Sequence, residues 1–375
     1  MKILFVLSTL QMGGAEKVAV ELANRWAEEH EVSLLTLDVD NDFFKLSPLV
    51  ERYALDILRK SYKNPIPHIK MILGIRKIAK KIKPDYVISF VGKTNVFVLL
   101  ALNSKKYKII ACEHSTIRHD KDDRLVDFFR HRLYPKAHRI TVLSSSIKED
   151  FVEKYKRVAP SRVMVVPNAL DINKVDEGFA KEDEMVIKEM DELIGKGGKI
   201  VVSLGRFAPV KRFSLLIKIF SHFHKEYAKE GKKVFLFIFG GGDERDAYLS
   251  LILELGMEGQ VFIKDRVHNV FSVLKKASLY ACTSMFEGFG MSIIEAFYSK
   301  VPVVSFDVQG IRELLEDNKT ALLVKEGDEE GYASSLHRIL EDVFLRNVLI
   351  ENAYKKSFEY TPEKIDDIWK SQLLV

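Results

Sequence analysis

What most limits the fold of this chain is an alternation, run through twice, of short apolar runs with helix-spaced stretches. Strand-like runs lie near residues 2–7, 32–37, 86–91, 107–112, 139–143 and 162–166, with helical patterns between them, as from Ala15 to Glu29 and from Ser144 to Lys156. The pattern restarts with Lys199–Leu204, Val234–Phe239, Val261–Ile263, Leu279–Cys282 and Pro302–Phe306. Such alternation predicts parallel sheets with helices on both faces. At 375 residues the chain exceeds the usual size of a single core. The expected class is therefore α/β, with two facing Rossmann-like, doubly wound domains. The boundaries predicted are residues 1–169, an acidic linker over 170–198 ending in Gly195-Lys196-Gly197-Gly198, a second domain over 199–355, and a C-terminal helix over 356–375 that packs back toward the first domain. Ligands of open sheets bind at the carboxyl ends of the strands, here in a central cleft.

Composition excludes several classes. The chain is 47% hydrophobic and 30% charged, which suits globular domains. Cys112 and Cys282 stand alone, so neither a disulfide framework nor a zinc site is indicated. The opening Lys2–Leu7 run reads as a first strand rather than a signal peptide. No apolar run reaches the roughly 20 residues that span a bilayer, and a cytoplasmic location is expected. The net charge is +5, but between Ile57 and Pro84 no acid faces Arg59, Lys60, Lys63, Lys70, Arg76, Lys77, Lys80, Lys81 and Lys83. That block points to an anionic partner: a membrane surface, a lipid diphosphate or nucleic acid. Within it a helix is predicted over Ile66–Ile82, with Met71, Ile75, Ile78 and Ile82 as its core stripe. The opposite face mixes Ile69 and Leu73 with Lys70, Arg76, Lys77 and Lys80, which fits either interfacial contact or a solvated helix.

The chemistry-bearing residues cluster just past the strands. Glu287-Gly288-Phe289-Gly290-Met291-Ser292-Ile293-Ile294-Glu295 sets two carboxylates around a glycine turn that opens a helix. Carboxylates accept hydrogen bonds from sugar hydroxyls, and first-turn amides attract anions. Gly205-Arg206 with Lys211 supplies a forked cation and a point charge, the pair a diphosphate needs. Together they describe a sugar-nucleotide pocket. Gly13-Gly14-Ala15-Glu16 fits either close approach of a ligand or a tight turn whose Glu16 complements the helix dipole. Gly240-Gly241-Gly242-Asp243 is a further glycine-rich strand end, suited to a nearby nucleotide or to a flexible connection. His114, past another strand, could bond a hydroxyl, shuttle a proton or serve structure alone. Asp38-Val39-Asp40 has no companion ligands and reads as a solvated loop, so no essential metal or other cofactor is expected.

These residues resemble the retaining glycosyltransferases of family 4, which have the GT-B fold. The resemblance runs through Gly13–Glu16, Glu113-His114-Ser115, Val166-Pro167-Asn168, Gly205-Arg206 with Lys211, Gly240–Asp243, and Glu287 with Glu295. It implies catalytic roles for His114, Arg206, Lys211 and Glu287. It implies donor contacts from Gly14, Asn168, Phe289, Gly290, Met291 and Glu295, with Arg266 and Val267 bordering the nucleobase. Two departures stand out: Asp265 and Lys300 occupy positions where family members often carry glycine.

Among subfamilies, the chain is similar to bacterial transferases that extend undecaprenyl-diphosphate-linked oligosaccharides. The resemblance thus implies transfer of a hexosyl group, N-acetylhexosaminyl such as GalNAc, from a UDP-sugar to a lipid-linked glycan in glycan, capsule or O-antigen assembly. It directs Lys70, Arg76, Lys77 and Lys80 to acceptor lipid and to the inner face of the cell membrane, and not to nucleic acid. A UDP-sugar 2-epimerase of the same architecture and a non-catalytic binding subunit are the alternatives.

Overall fold

The computed structural model describes residues 1–11, 13–38, 43–57, 65–114, 124–170, 172 and 183–372. Contacts divide the chain into a first unit, Met1–Asn168 with Asp366–Val375, and a second, Ala169–Ile365.

The first unit is built on seven strands: β1 (Lys2–Leu7), β2 (Glu31–Thr36), β3 (Glu51–Ala54), β4 (Tyr86–Phe90), β5 (Lys108–Cys112), β6 (Arg139–Val142) and β7 (Val163–Val165). They pair in parallel in the order β3-β2-β1-β4-β5-β6-β7. Central strands read as unbroken apolar runs because helices cover both faces; all five residues of β4 are buried. β3 escapes the sequence reading. Its Glu-Arg-Tyr-Ala has no apolar run, and it forms at the sheet edge by register with β2, aided by a 2.7 Å bond from Arg52 Nη1 to Thr36 Oγ1. Stepping from β3 to β7 always moves one way across the sheet. Right-handed crossovers therefore put helices Pro65–Ile82, Gly92–Ala101, Arg124–Leu133 and Ser145–Lys154 on one face. The step from β1 to β2 runs the other way and sends helix Gly14–Trp26 to the opposite face. That reversal between β1 and β4 is a topological switch point, where ligands of doubly wound sheets bind.

Helix Pro362–Gln372 supplies the last piece of this unit. Trp369 meets Trp26 edge-on at 5.6 Å, Trp26 Nε1 donates to Asp366, and Lys370 bonds Glu29 at 3.0 Å.

The second unit has six parallel strands: β8 (Gly198–Leu204), β9 (Lys233–Phe239), β10 (Val261–Lys264), β11 (Leu279–Cys282), β12 (Val303–Phe306) and β13 (Leu322–Val324), ordered β10-β9-β8-β11-β12-β13. β13 has only three residues, too few to show a period in sequence. Helices Phe213–Lys229 and Arg245–Leu255 follow the steps in one direction, and Val270–Leu274 and Met291–Tyr298 those in the other. The switch point falls between β8 and β11, so the loops carrying Arg206 and Glu287 are neighbours. Within the stretch read as a linker, Glu184–Gly195 forms a helix against β8. Lys300 sits at φ +58°, a left-handed conformation that glycine adopts without strain; its ammonium lies 4.6 Å from the Tyr354 ring centroid.

Candidate functional site

In the second unit the strand ends approach closely. A Cβ on Gly240 would fall 1.9 Å from the Gly205 carbonyl oxygen, so only glycine permits this contact. Arg206 projects exposed beyond β8, while the next residue, Phe207, is buried. The chain then turns over Pro209–Lys211 and passes through Arg212 at φ +50°. Arg212 ties this turn to the loop after β11: Nε donates to Thr283 O at 2.8 Å and Nη2 to Ser284 O at 2.9 Å. Thr283 Oγ1 returns a bond to Lys211 O at 3.0 Å.

Those ties set Lys211 against Glu287. Lys211 Nζ donates to Glu287 Oε1 at 2.6 Å, and Ser284 Oγ donates to the same oxygen at 2.6 Å. The two side chains are 18% and 13% exposed. Burial by itself lowers the Lys211 pKa, but the facing Glu287 carboxylate more than offsets this and the net shift is upward. The ammonium therefore stays charged. Glu287 Oε2 has no hydrogen-bond donor among the described residues, leaving an acceptor for a ligand hydroxyl.

Gly290 follows at φ +81°, closing the turn before helix Met291–Tyr298. The amides of Ile293 and Ile294 return to Gly290 O, so the first two amides, of Met291 and Ser292, stand at the helix mouth. Met291 and Glu295, four residues apart, share a half-buried face. Phe289 turns inward, 3% exposed against Tyr360, and presents only backbone to the loop. Arg266 and Val267 line a cavity of about 650 Å³ with Phe239, Lys264 and Asp265. Arg266 also lies across Gly241, where a Cβ would come within 3.3 Å of its Nε. Asp265, at a position where the resemblance expects glycine, pairs with Arg245 at 2.6 Å.

The first unit holds a smaller pocket of about 290 Å³ at its switch point, lined by Gly14, Glu16, Val91, His114, Leu143 and Asn168. The two glycines divide their tasks. A Cβ on Gly13 would strike Glu16 Oε2 at 2.0 Å, whereas Gly14 has nothing within 4 Å. His114 is half-buried with its ring 5.2 Å from Phe90, and burial lowers its pKa to about 4. It is neutral near pH 7, able to exchange hydrogen bonds but a weak proton carrier. Behind it Glu113 is buried, 3.5 Å from Arg130 Nη2, accepting from Asn95 Nδ2 at 3.1 Å and from the Tyr134 hydroxyl.

Sequence reasoning did not single out Arg212, Ser284, Val91 or Arg130. Arg212 adjoins Lys211, yet its left-handed backbone carries no signature in composition. Asp38 accepts from Ser8 Oγ at 2.9 Å, while Val39 and Asp40 lie outside the described residues, as does Ser115.

Helix Pro65–Ile82 buries Met71, Ile75 and Ala79, with Ile78 and Ile82 only half-buried. Ile66, Ile69 and Leu73 are exposed beside Lys70, Lys77 and Lys80. Arg76 is also exposed, but its Nε donates to Ala101 O at 2.6 Å and its Nη2 to Leu100 O at 3.2 Å, capping the neighbouring helix. Arg59, Lys60 and Lys63 fall outside the described residues. Among the described residues no helix is long and apolar enough to cross a membrane.

Residues 12–174 match the family described as Glycosyltransferase Family 4, and residues 187–356 match Glycosyl transferases group 1. A Campylobacter jejuni protein is 30% identical over 373 residues, covering 98% of this chain and 97% of that one. This chain is a family 4 glycosyltransferase. That relative is the alpha-1,4-N-acetyl-D-galactosaminyltransferase acting on GalNAc-alpha-(1->4)-GalNAc-alpha-(1->3)-diNAcBac-PP-undecaprenol. A second from the same organism, an N-acetylgalactosamine-N,N'-diacetylbacillosaminyl-diphospho-undecaprenol 4-alpha-N-acetylgalactosaminyltransferase, is 28% identical to the transferase, with 96% of each chain covered. Among solved structures, Anabaena HepE in complex with UDP and glucose superposes with a TM-score of 0.79 at 19% identity, covering 100% of this chain and 99% of that one. The transferase thus has the two-domain α/β GT-B fold, its two Rossmann-like sheets being those described above.

Proposed function

We propose that the transferase moves an N-acetylhexosaminyl group from a UDP-sugar to a hydroxyl of an undecaprenyl-diphosphate-linked glycan, with retention of anomeric configuration and without an essential metal. The observation that carries this is the Lys211–Glu287 pair beside exposed Arg206 and the open helix mouth at Gly290. Positive groups and amide dipoles there suit a β-phosphate, and the unclaimed oxygen of Glu287 suits a hydroxyl of the donor sugar. Glu295 would take the ribose, and the Arg266–Val267 cavity the base.

As the bond between the anomeric carbon and the β-phosphate oxygen breaks, negative charge grows on the phosphate. Arg206, Lys211 and the amides of Met291 and Ser292 stabilise it. The acceptor oxygen attacks the same face of the sugar, and its proton passes to the departing phosphate oxygen. No side-chain base is then required, which agrees with a neutral His114 that only bonds hydroxyls.

The acceptor is proposed from the two Campylobacter relatives and from the surface of the first unit. Helix Pro65–Ile82 and helix Arg124–Leu133 both pack on helix Gly92–Ala101, and all three lie on one face of the sheet. Exposed Ile66, Ile69 and Leu73 on the first, and Leu125 and Phe128 on the second, stand among Lys70, Lys77, Lys80, Arg124 and Arg132. Mixed apolar and cationic exposure fits peripheral contact with an anionic membrane at the cytoplasmic side.

Purified protein incubated with a panel of UDP-sugars and lipid extract tests the reading. Growth of a glycolipid is expected. Interconversion of free donors would instead make it an epimerase, and binding without turnover a carrier subunit.

A further inference from the structure

The pocket of the first unit contains two features that are unfavourable in the free protein. Asn168 is 7% exposed, and its Oδ1 is buried with no hydrogen-bond partner among the described residues. Leaving a buried acceptor unsatisfied is costly, and such groups are few in native proteins. Val91 is stranger still. It holds φ +71° and ψ 135°, a conformation β-branched residues rarely adopt, and its apolar side chain is 42% exposed.

The strain at Val91 is enforced from both sides. Its amide donates to Cys112 O at 3.1 Å, at the end of β5, and its carbonyl accepts from Asn95 N at 3.0 Å, in the helix that follows. With both backbone groups pinned, the isopropyl group is held out beside His114 and the buried Leu143. Backbone strain of this kind gathers at ligand sites. An orphaned acceptor beside an apolar wall asks for a ligand group carrying a hydrogen-bond donor next to a methyl. A hydroxyl has the donor but not the methyl. An acetamido group has both, separated only by its carbonyl carbon.

We infer that this pocket seats the acetamido group of a 2-acetamido sugar, its N–H donating to Asn168 Oδ1 and its methyl resting on Val91 and Leu143, with His114 reaching a neighbouring hydroxyl. The inference rests on the glycosyl-transfer reading and adds specificity-determining residues to it. The sugar belongs either to the end of the acceptor glycan or to the donor. The pocket chemistry is the same for both.

The test compares matched ligands on the full chain by titration calorimetry. Methyl N-acetyl-α-galactosaminide is set against methyl α-galactoside, and UDP-N-acetylgalactosamine against UDP-galactose. The acetamido member of at least one pair should bind about tenfold tighter or more, the range one well-seated methyl group commands. Preference in the glycoside pair alone assigns the pocket to the acceptor, and in the nucleotide pair alone to the donor. Asn168→Ala should erase the preference. Val91→Gly should weaken it without lowering the melting temperature, because φ +71° with ψ 135° lies outside the left-handed helical basin and is a conformation that glycine alone adopts without strain. Equal binding within both pairs by the wild-type protein would overturn the inference, as would a preference that survives both substitutions. The underlying reading fails separately: the acetamido preference could stand in a protein that transfers no sugar, and transfer could proceed with no such preference.

Discussion

Arg206 and Lys211 are assigned the same chemical task, yet their surroundings predict different responses to mutation. Arg206 is exposed and makes no ion pair among the described residues, so Arg206→Ala should change folding stability by no more than about 0.5 kcal/mol. Lys211 is mostly buried and holds Glu287 at 2.6 Å, so Lys211→Met strands a carboxylate that retains only the Ser284 hydroxyl. With both side chains still partly open to water, the loss is on the order of 1–3 kcal/mol. Adding Glu287→Gln to Lys211→Met should recover part of it, because no charge is then left alone. Activity should not follow stability. Loss of either cation removes stabilisation of the developing phosphate charge, on the order of 2–4 kcal/mol. That corresponds to about 30- to 900-fold in kcat, with a smaller effect on donor affinity. Urea unfolding and steady-state kinetics with saturating UDP-sugar read the two effects independently. Wild-type turnover in Arg206→Ala, or equal stability of the two single variants, would refute the assignment.

Other consequences can be checked more briefly. Gly14 has open space and no positive φ, so Gly14→Ala should leave the melting temperature unchanged or slightly higher while lowering transfer by filling the pocket; a fully active variant would remove Gly14 from the site. His114 has a folded pKa near 4, below its unfolded value of 6.5. The unfolded chain therefore takes up the proton first, and this contribution to stability, present above pH 6.5, is lost as pH falls toward 4. Urea midpoints of His114→Gln should fall less steeply than wild type across that window, and identical slopes would contradict the burial of the ring. Flotation with anionic vesicles should be weakened by charge reversal at Lys70, Lys77 and Lys80 and separately by Leu125→Ser with Phe128→Ser, and unchanged flotation in both would discard the membrane-facing surface.

How far the site was legible depends on what each residue does. That Arg206, Lys211, Glu287 and the Gly290 turn stand at strand ends could be read because the signal is local: charges and glycines placed one step past an apolar run. The sheet order was not readable in detail. β3 is polar and exists only because β2 offers it an edge, and β13 is too short to register. Phe289 and Arg76 show the converse limit. Both lie in suggestive patterns, yet packing turns the first into the core and commits the second to the carbonyls of a neighbouring helix.

By itself the sequence determined the alternation of strands and helices, hence parallel sheets and the strand-end loops that hold the candidate site, because periodicity and turn propensity act over a few residues. Only the tertiary structure decided which oxygen of Glu287 remains open, that Arg212 bolts two loops together, and that Val91 and Asn168 share one pocket. Those are outcomes of burial and of backbone conformations imposed by partners tens of residues away, and no local pattern records them.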